Sequence, residues 1–193
     1  MHTEIKEDRR VRKTKRALRE GLAELLTEKS IKNITVKELT DKVDIHRSTF
    51  YANFTDIYDL YSQIEDAVIQ EINDILSETY TADSKVFFGI LFKYISDNRQ
   101  VCRMFMGKNV SPTFYGRLTN LLKEAFLICW SNEYDFTDAA EEMAYYVHFC
   151  LSGSLAVIGK WADEGFEYSE QQLISMFVDV YDNFEEFIGR KFA

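Results

Sequence analysis

Apolar residues recur along most of this 193-residue chain at spacings of three and four, the period of an amphipathic α-helix. Leu18, Leu22 and Leu25 mark one such face near the start of the chain, and Leu173 and Phe177 mark another near its end. The pattern predicts helices at residues 9–29, 35–43, 46–53, 57–79, 84–96, 99–106, 112–130, 137–162 and 169–189.

Glycine and proline are rare, with eight Gly and one Pro in the chain, so the turns that bound β-strands are scarce. We therefore expect an all-α protein. At ~1.5 Å per residue the predicted helix 57–79 spans roughly 34 Å, which is long enough to link two domains. We predict an N-terminal three-helix helix-turn-helix domain at 1–56, joined by this long helix to a C-terminal helical domain at 57–193.

The second and third predicted helices have clear boundaries. Thr35 and Glu38 form a capping box, in which the hydroxyl accepts from the Glu38 amide and the Glu38 side chain reaches back. Residues 43–45 form the turn, and His46 starts the third helix. Asp56 is placed to cap the long helix that follows.

Charge is distributed unevenly along the chain. Residues 1–55 contain 13 Lys or Arg and 9 Asp or Glu, a balance of +4, whereas the remainder contains 10 basic and 23 acidic residues, a balance of −13, and together these give the net −9. A basic segment on an acidic chain is typical of a nucleic-acid-binding protein, although a solvated basic tail would give the same balance.

The third helix has the side chains that a major-groove reader needs. The groove admits one α-helix, which a second helix must brace. Arg47, Ser48 and Thr49 lie in its first turn, where side chains meet base edges, and Tyr51 offers a stiff donor to a backbone oxygen. The alternatives are a solvated Arg47 and a core Tyr51 with a satisfied hydroxyl.

Segments 34–39 (ITVKEL) and 45–54 (IHRSTFYANF) resemble the DNA-binding signature of the TetR family of transcriptional regulators, over about residues 10 to 60. The rest of the chain resembles that family only in length and helix pattern. The resemblance implies that Thr35 caps the second helix and touches phosphate, and that Tyr51 and Asn53 hold phosphates. The full set of DNA contacts that it implies is Thr35, Lys37, His46, Arg47, Ser48, Thr49, Phe50, Tyr51 and Asn53.

Two positions depart from the family pattern. The family often has Gly in the turn, where this chain has Asp44, a residue that tolerates the left-handed conformation better than most. The family also often has Lys near the position of Ile57, where it contacts phosphate. Without that lysine, affinity is either lower or dependent on the Arg-rich N-terminal arm.

The resemblance also implies a homodimer, because two reading helices about 34 Å apart bind a palindrome far more tightly than one. We predict that the last two helices form the dimer surface, through the apolar residues Leu151, Leu155, Ile158, Phe177, Tyr181 and Phe184. The alternative is that these stripes only close the core of the monomer, since burial requires apolar stripes in either case.

The middle of the chain is rich in aromatic residues, which is typical of a pocket for a small apolar or aromatic effector. We predict that Tyr146 and His148 orient this ligand and that the apolar lining is Phe92, Met104, Phe105, Phe114 and Leu118. A well-filled core is the alternative, and it is the more common use of aromatics at helical spacing.

These observations favour a TetR-like regulator, a repressor that binds a palindromic operator in double-stranded DNA and is released by an effector. The alternative is a TetR-like co-activator or adaptor whose C-terminal domain binds a protein. An enzyme is not expected, because no nucleophile with a base, metal-ligand spacing or phosphate loop is present. We expect no cofactor, no bound metal, no membrane span and a cytoplasmic location.

Overall fold

The structure is a computed structural model that describes residues 9–79, 83–106, 111–131 and 139–192, without the side chains of 128–131. Within these ranges the chain is helical and has no strand, which confirms the predicted all-α fold. The helices are α1 (Arg9–Glu28), α2 (Val36–Lys42), α3 (Arg47–Tyr51), α4 (Ile57–Thr79), α5 (Ser84–Asp97), α6 (Arg99–Met106), α7 (Pro112–Ser131), α8 (Ala140–Asp163) and α9 (Glu170–Phe192).

The predicted helix ends agree with the described ones to within three residues. The third helix is shorter than expected, because regular helix ends at Tyr51 and residues 52–53 only continue as a turn. The last helix runs to Phe192, beyond the predicted end at Gly189. The predicted start of α8 at Thr137 lies outside the described residues.

The chain divides into two compact units, which we call the head (Met1–Ala67) and the body (Val68–Ala193). The division falls inside α4, so this helix contributes residues 57–67 to the head and residues 68–79 to the body. No helix in the described ranges is long and apolar enough to cross a membrane.

In the head, α1 packs closely on α2 and on the turn that follows it. Gly21 is buried in this contact, where an added Cβ would overlap Cγ1 of Val43 and lie 3.2 Å from Cδ1 of Leu39. Because any other side chain at position 21 would overlap Val43, glycine lets α1 lie this close to it. Ion pairs flank the contact, with Lys42 Nζ 2.8 Å from Glu24 Oε2 and Lys29 paired with Glu38.

The turn between α2 and α3 is closed by a left-handed residue. Asp44 has a φ of 54°, and the Ile45 amide donates to the Thr40 carbonyl at 3.0 Å, which is the Schellman pattern of a helix end. The expectation that Asp44 can occupy this position is therefore confirmed. After this turn His46 is the N-cap residue of α3.

The body is built around aromatic side chains. The ring of Phe92 lies 5.5 Å from that of Trp161 and 5.0 Å from that of Phe177, so α5, α8 and α9 share one core. A second core joins α8 and α9 through Met143, Val147, Leu151 and Ile188, with residues of α7 packed against it. These two cores use the apolar faces that the helical period predicts.

Polar contacts tie α5 and α8 to their neighbours. Ser84 Oγ donates to Asp182 of α9 at 2.7 Å, and Tyr94 donates its hydroxyl proton to Glu71 of α4 at 2.7 Å. Lys191, near the end of α9, lies 2.8 Å from the carboxylate of Glu142, near the start of α8. Because the early part of one helix meets the late part of the other, α8 and α9 run antiparallel.

Candidate nucleic-acid interface

One face of α3 is open to solvent. Arg47, Ser48 and Tyr51 are exposed, and Tyr51 has 57% of its surface accessible. Residues at these spacings share one side of a helix, so the three side chains lie together. The arrangement presents a guanidinium and two hydroxyl groups, which are donors that suit base edges and phosphate oxygens.

Phe50 occupies the opposite side of α3 and anchors it. Its side chain is fully buried, and its ring lies 5.6 Å from that of Phe54 and 5.5 Å from that of Tyr51. The prediction that Phe50 faces DNA is therefore wrong for its side chain. The burial of Phe50 is what turns the polar face of α3 outward.

The remaining predicted residues of this segment lie at the two ends of α3, apart from Thr49 in its middle. His46 is exposed at the N-cap position, but its side chain makes no capping hydrogen bond, and its carbonyl accepts from the Thr49 amide at 2.9 Å. Thr49 is half-buried. Asn53 donates from Nδ2 to the Thr49 carbonyl at 2.8 Å, so part of its donor capacity is used inside the helix.

Thr35 and Lys37 are exposed at the start of α2. The Thr35 hydroxyl accepts from the Glu38 amide at 3.2 Å, as predicted for the first half of a capping box, and it still has a proton to donate. The predicted second half differs, because the Glu38 carboxylate accepts from Lys29, the residue that follows α1. Glu38 therefore braces α2 against α1.

Two lysines of the head form ion pairs with glutamate side chains. A hydrogen bond from Lys42 to Glu24 raises the pKa of that lysine, against the opposing effect of desolvation. Lys29 is paired with Glu38. Lys32 and Lys37 are exposed, as is the paired Lys42.

The start of α4 is acidic, and its two aspartates accept hydrogen bonds from neighbouring residues. Asp56 caps the helix by accepting from the Asp59 amide at 2.8 Å, as the sequence predicts. Asp59 in turn accepts from the Thr55 amide at 2.7 Å and from Gln63 Nε2 at 2.9 Å. The Thr55 amide, and after it the Gln63 side chain, hold the pKa of Asp59 below its usual value.

The apolar residues of the predicted effector site are buried in the body. Phe92 lies in the core with Trp161, whereas Phe105 stacks on Phe114 at 4.1 Å between ring centres. Met104 and Leu118 are also buried.

The two predicted polar groups of that site are both on α8. His148 is exposed, which corrects the prediction that it points into an interior pocket. Tyr146 is half-buried, with its hydroxyl 3.4 Å from Glu142 and its ring 5.5 Å from that of Phe187.

The predicted dimer residues belong mainly to the core of the body. Leu151, Leu155, Ile158 and Phe177 are buried, so the prediction that these side chains form an intersubunit surface is corrected. Tyr181 and Phe184 are half-buried at the edge of the same core. The apolar stripe that is clearest in the sequence is therefore buried within the single chain.

A different set of large apolar side chains on α8 and α9 is open to solvent, and none of them is among the residues predicted for the dimer surface. Tyr145 and Phe149 are 71% and 75% exposed on α8. On α9, Met176, Val180 and Phe187 are also exposed. Their spacing of four, four and seven was the signal that could have identified them, because it repeats the helical period one position from the core stripe on α9 and two positions from it on α8.

The cysteines do not add a reactive site in the described ranges. Cys102 is buried and Cys150 is half-buried. Burial raises the pKa of the Cys150 thiol to about 11, so it stays protonated near neutral pH. The side chain of Cys129 lies outside the described residues.

A sequence model for the C-terminal region of transcriptional regulators matches residues 82–183, more than half of the chain. No curated protein matches the chain in sequence. Among solved structures, a TetR transcriptional regulator from Streptococcus agalactiae 2603V is 18% identical with a TM-score of 0.59, covering 92% of this chain and 98% of its own.

Two further solved structures have the same fold. The fatty acid degradation regulator FadR from Bacillus halodurans is 13% identical with a TM-score of 0.66, and the dihydroxyacetone kinase operon activator DhaS is 15% identical with a TM-score of 0.60. Each alignment covers 86% of this chain and 93% of the other. At these identities the comparison supports the shared helical fold.

Proposed function

The chain belongs to the TetR family of transcriptional regulators, and from this premise we propose that it binds a palindromic operator in double-stranded DNA as a homodimer. We assign the DNA-binding domain to residues 1–56 and the regulatory and dimerisation domain to residues 57–193. In this proposal α3 enters the major groove, and α2 braces it across the phosphate backbone.

The observation that carries the proposal is the two-sided construction of α3. Phe50 fixes one side in the core, and Arg47, Ser48 and Tyr51 face solvent on the other. Arg47 in the first turn suits a guanine edge, whereas Tyr51, one turn later, suits a phosphate oxygen. Thr35 adds a hydroxyl donor from the start of α2.

The second copy is assigned to the exposed apolar face of α8 and α9. Tyr145 and Phe149 from α8, with Met176, Val180 and Phe187 from α9, form large apolar side chains on two antiparallel helices. Two such pairs pack as a four-helix interface, which is a self-complementary arrangement under twofold symmetry. Burying these aromatics removes from water the most exposed apolar surface of the body.

The test is selection of bound sequences from random duplex DNA with the full chain. We expect a palindrome whose half-sites lie one helical turn apart, roughly 34–36 Å between centres. Arg47→Ala should weaken the preference at one base position in each half-site by about 10- to 100-fold. Arg103→Ala, which removes an exposed arginine of the body, is the matched control and should leave that preference intact. Failure to enrich any sequence would contradict operator binding.

A small apolar or aromatic effector that lowers operator affinity is the second part of the proposal. Its support is the concentration of buried aromatic side chains in the body, such as the stacked Phe105 and Phe114. An effector can act only by binding one state of the dimer better than the other. Compounds that raise the thermal stability of the protein should therefore also weaken operator binding. A compound that stabilises the protein but leaves operator binding unchanged is not an effector.

Repression is proposed as the outcome of operator binding, and a reporter gene behind the selected operator tests it. Lower expression in the presence of the chain supports a repressor, whereas higher expression identifies an activator. If the body instead captures a defined protein and no DNA is enriched, the co-activator or adaptor function replaces the present proposal.

A further inference from the structure

The positive charge of the head is concentrated on α1. Residues 9–19 contain seven Lys or Arg and no Asp or Glu, whereas no Lys or Arg occurs between Arg47 and Lys85. The whole of α4 therefore lacks a cation. A duplex that contacts the head meets most of its positive charge on one helix, and that helix is not the one predicted to read the bases.

Two other cations of the head are already paired inside it. Lys29 and Lys42 of the α1–α2 contact bind Glu38 and Glu24 respectively. Transfer of either lysine to a phosphate would break a pair that holds α2 against α1. Outside α1, the exposed Lys and Arg side chains among the described residues of the head are Lys32, Lys37, Lys42 and Arg47, and Lys42 among them is paired with Glu24.

The start of α4 is unsuited to a phosphate. Two carboxylates lie at this helix end, because Asp56 accepts from the Asp59 amide in the first turn and Asp59 accepts from the Thr55 amide just before the helix. A phosphate placed there would meet two anionic side chains and would have to displace them. The repulsion between like charges disfavours this position.

The cations of α1 form a continuous exposed face. Arg9, Arg12, Lys13 and Arg16 follow the spacing of one helix side and are all exposed. Arg16 is paired with Glu20 at 2.8 Å, but an ion pair this exposed contributes little and exchanges readily for a phosphate. From Arg9 to Arg16 the face extends roughly 10 Å along the helix, about the rise of three phosphates on one strand.

We propose that this α1 face, and not the start of α4, binds the DNA backbone and supplies most of the salt-dependent affinity of each head. The inference rests on the proposed operator binding, and it specifies where the phosphates lie. Gly21 packs α1 against Val43, just before the turn into α3, so the face begins roughly 8 Å along the helix from that contact. The occupant is DNA because the face is cationic, polar and carried by the same head as the reading helix.

The experiment measures operator affinity against salt concentration for the full chain, using the operator selected by the wild-type protein. The test variant combines Arg9→Gln, Arg12→Gln and Lys13→Gln, which removes three charges with a good helix former. Each lost phosphate contact should reduce the log–log salt slope by about 0.9, or about 5 for a dimer that loses six. Affinity at 0.15 M salt should fall by at least about 10-fold, while the selected sequence stays the same because α3 is unchanged.

The matched control removes three exposed cations from the body, with Lys85→Gln, Arg103→Gln and Lys123→Gln. Its net charge equals that of the test variant, so a general charge effect would change both slopes alike. Equal slopes for the test and control variants would overturn the inference.

The conservative variant Arg9→Lys, Arg12→Lys, Lys13→Arg should keep the wild-type slope and thereby exclude misfolding as the cause. A slope that falls in this variant too would contradict a role of charge. Failure of the wild-type chain to select any duplex would overturn the proposed function itself. Wild-type binding with an unchanged slope in the Gln variant overturns only the assignment to α1.

Discussion

The head and the body expose different chemistry to solvent. Among the described residues of the head, the large exposed hydrophobic side chains are Tyr51 and Tyr58, and both have hydroxyl groups. The body instead exposes Phe149, Val180 and Phe187, which cannot form hydrogen bonds. A polar, cationic surface suits nucleic acid, whereas an apolar surface on paired helices suits another protein surface.

The head and the body also differ in how their interiors are packed. The head is held by a glycine-mediated contact between α1 and α2 and by ion pairs such as Lys42–Glu24 at its edge. The body is filled by aromatic rings, with Phe92 and Trp161 at its centre. The same helical period therefore occurs in a head closed around Gly21 and in a body filled by aromatic rings, and the two differ in the size of the side chains at these buried positions.

The largest expected effect is the loss of dimerisation when exposed aromatics of the body are removed. Combining Tyr145→Ser with Phe149→Ser removes two exposed aromatics from the proposed dimer face. Truncating a central aromatic of an interface typically costs about 2 kcal/mol or more, so the dimer dissociation constant should rise by at least about 100-fold. Sedimentation equilibrium measures this change, and operator affinity should fall with it because one head alone binds weakly.

A matched pair of exposed tyrosines lies outside that face. Tyr115→Ser with Tyr168→Ser removes comparable aromatic surface from α7 and from the segment before α9. This control should remain dimeric and bind the operator as the wild type does. A Tyr145→Ser, Phe149→Ser protein that stays dimeric would show that the copies meet elsewhere.

The next effect concerns the head alone. Tyr51→Phe removes one hydroxyl donor per head, and a hydrogen bond to a charged group contributes about 1.5–3 kcal/mol. Operator affinity should fall by at least about 10-fold for all sequences alike, since phosphate contacts do not distinguish bases. Fluorescence anisotropy measures this loss. Tyr58→Phe is the matched control, because Tyr58 is 56% exposed, and it should leave affinity unchanged. Equal losses in the two variants would exclude a specific role for Tyr51.

Local signals in the sequence predicted much of the head. Thr35 as a cap, Asp44 in the turn and Asp56 at the start of α4 each act through neighbours within a few residues, so the sequence contains all the information needed. The inward side of α3 was less certain. Phe50 and Phe54 both fit an inward position, and the structure buries the two of them, whereas the resemblance assigned Phe50 to the DNA face.

The surface of the body could not be predicted in this way. A helical period indicates that an apolar stripe is buried, but it does not indicate whether other helices of the same chain or a second copy cover it. Leu151 and Leu155 repeat with the same spacing as Tyr145 and Phe149, and only the packing of the other helices decides which stripe faces inward. The prediction that His148 points into a pocket was wrong for the same reason, because a residue beside several aromatic residues can face either inward or outward.

A smaller effect tests the close contact inside the head. Gly21→Ala adds a Cβ that overlaps Val43, and this overpacking should exceed the gain in helix propensity, for a net loss of about 1–2 kcal/mol. Chemical denaturation followed by circular dichroism measures the change. Adding Val43→Ala should restore part of the loss by removing Cγ1. Gly89→Ala, in the middle of α5 where a Cβ meets no neighbour, should instead stabilise by up to about 1 kcal/mol.

The smallest effect concerns the acidic start of α4. The pKa of Asp59 is lowered in the folded chain, first by the Thr55 amide and then by Gln63, relative to about 3.9 when unfolded. A carboxylate with a lowered pKa stabilises the fold above the unfolded value, and this contribution is lost as pH falls through the folded value. Asp59→Asn should therefore reduce the melting temperature slightly at pH 7, and the difference from wild type should shrink below about pH 4. Asp41→Asn, a change at an exposed carboxylate of α2, is the control for removing one charge from the head. If the difference between wild type and Asp59→Asn stayed constant from pH 7 to pH 3, the carboxylate's charge would have no part in holding this helix end.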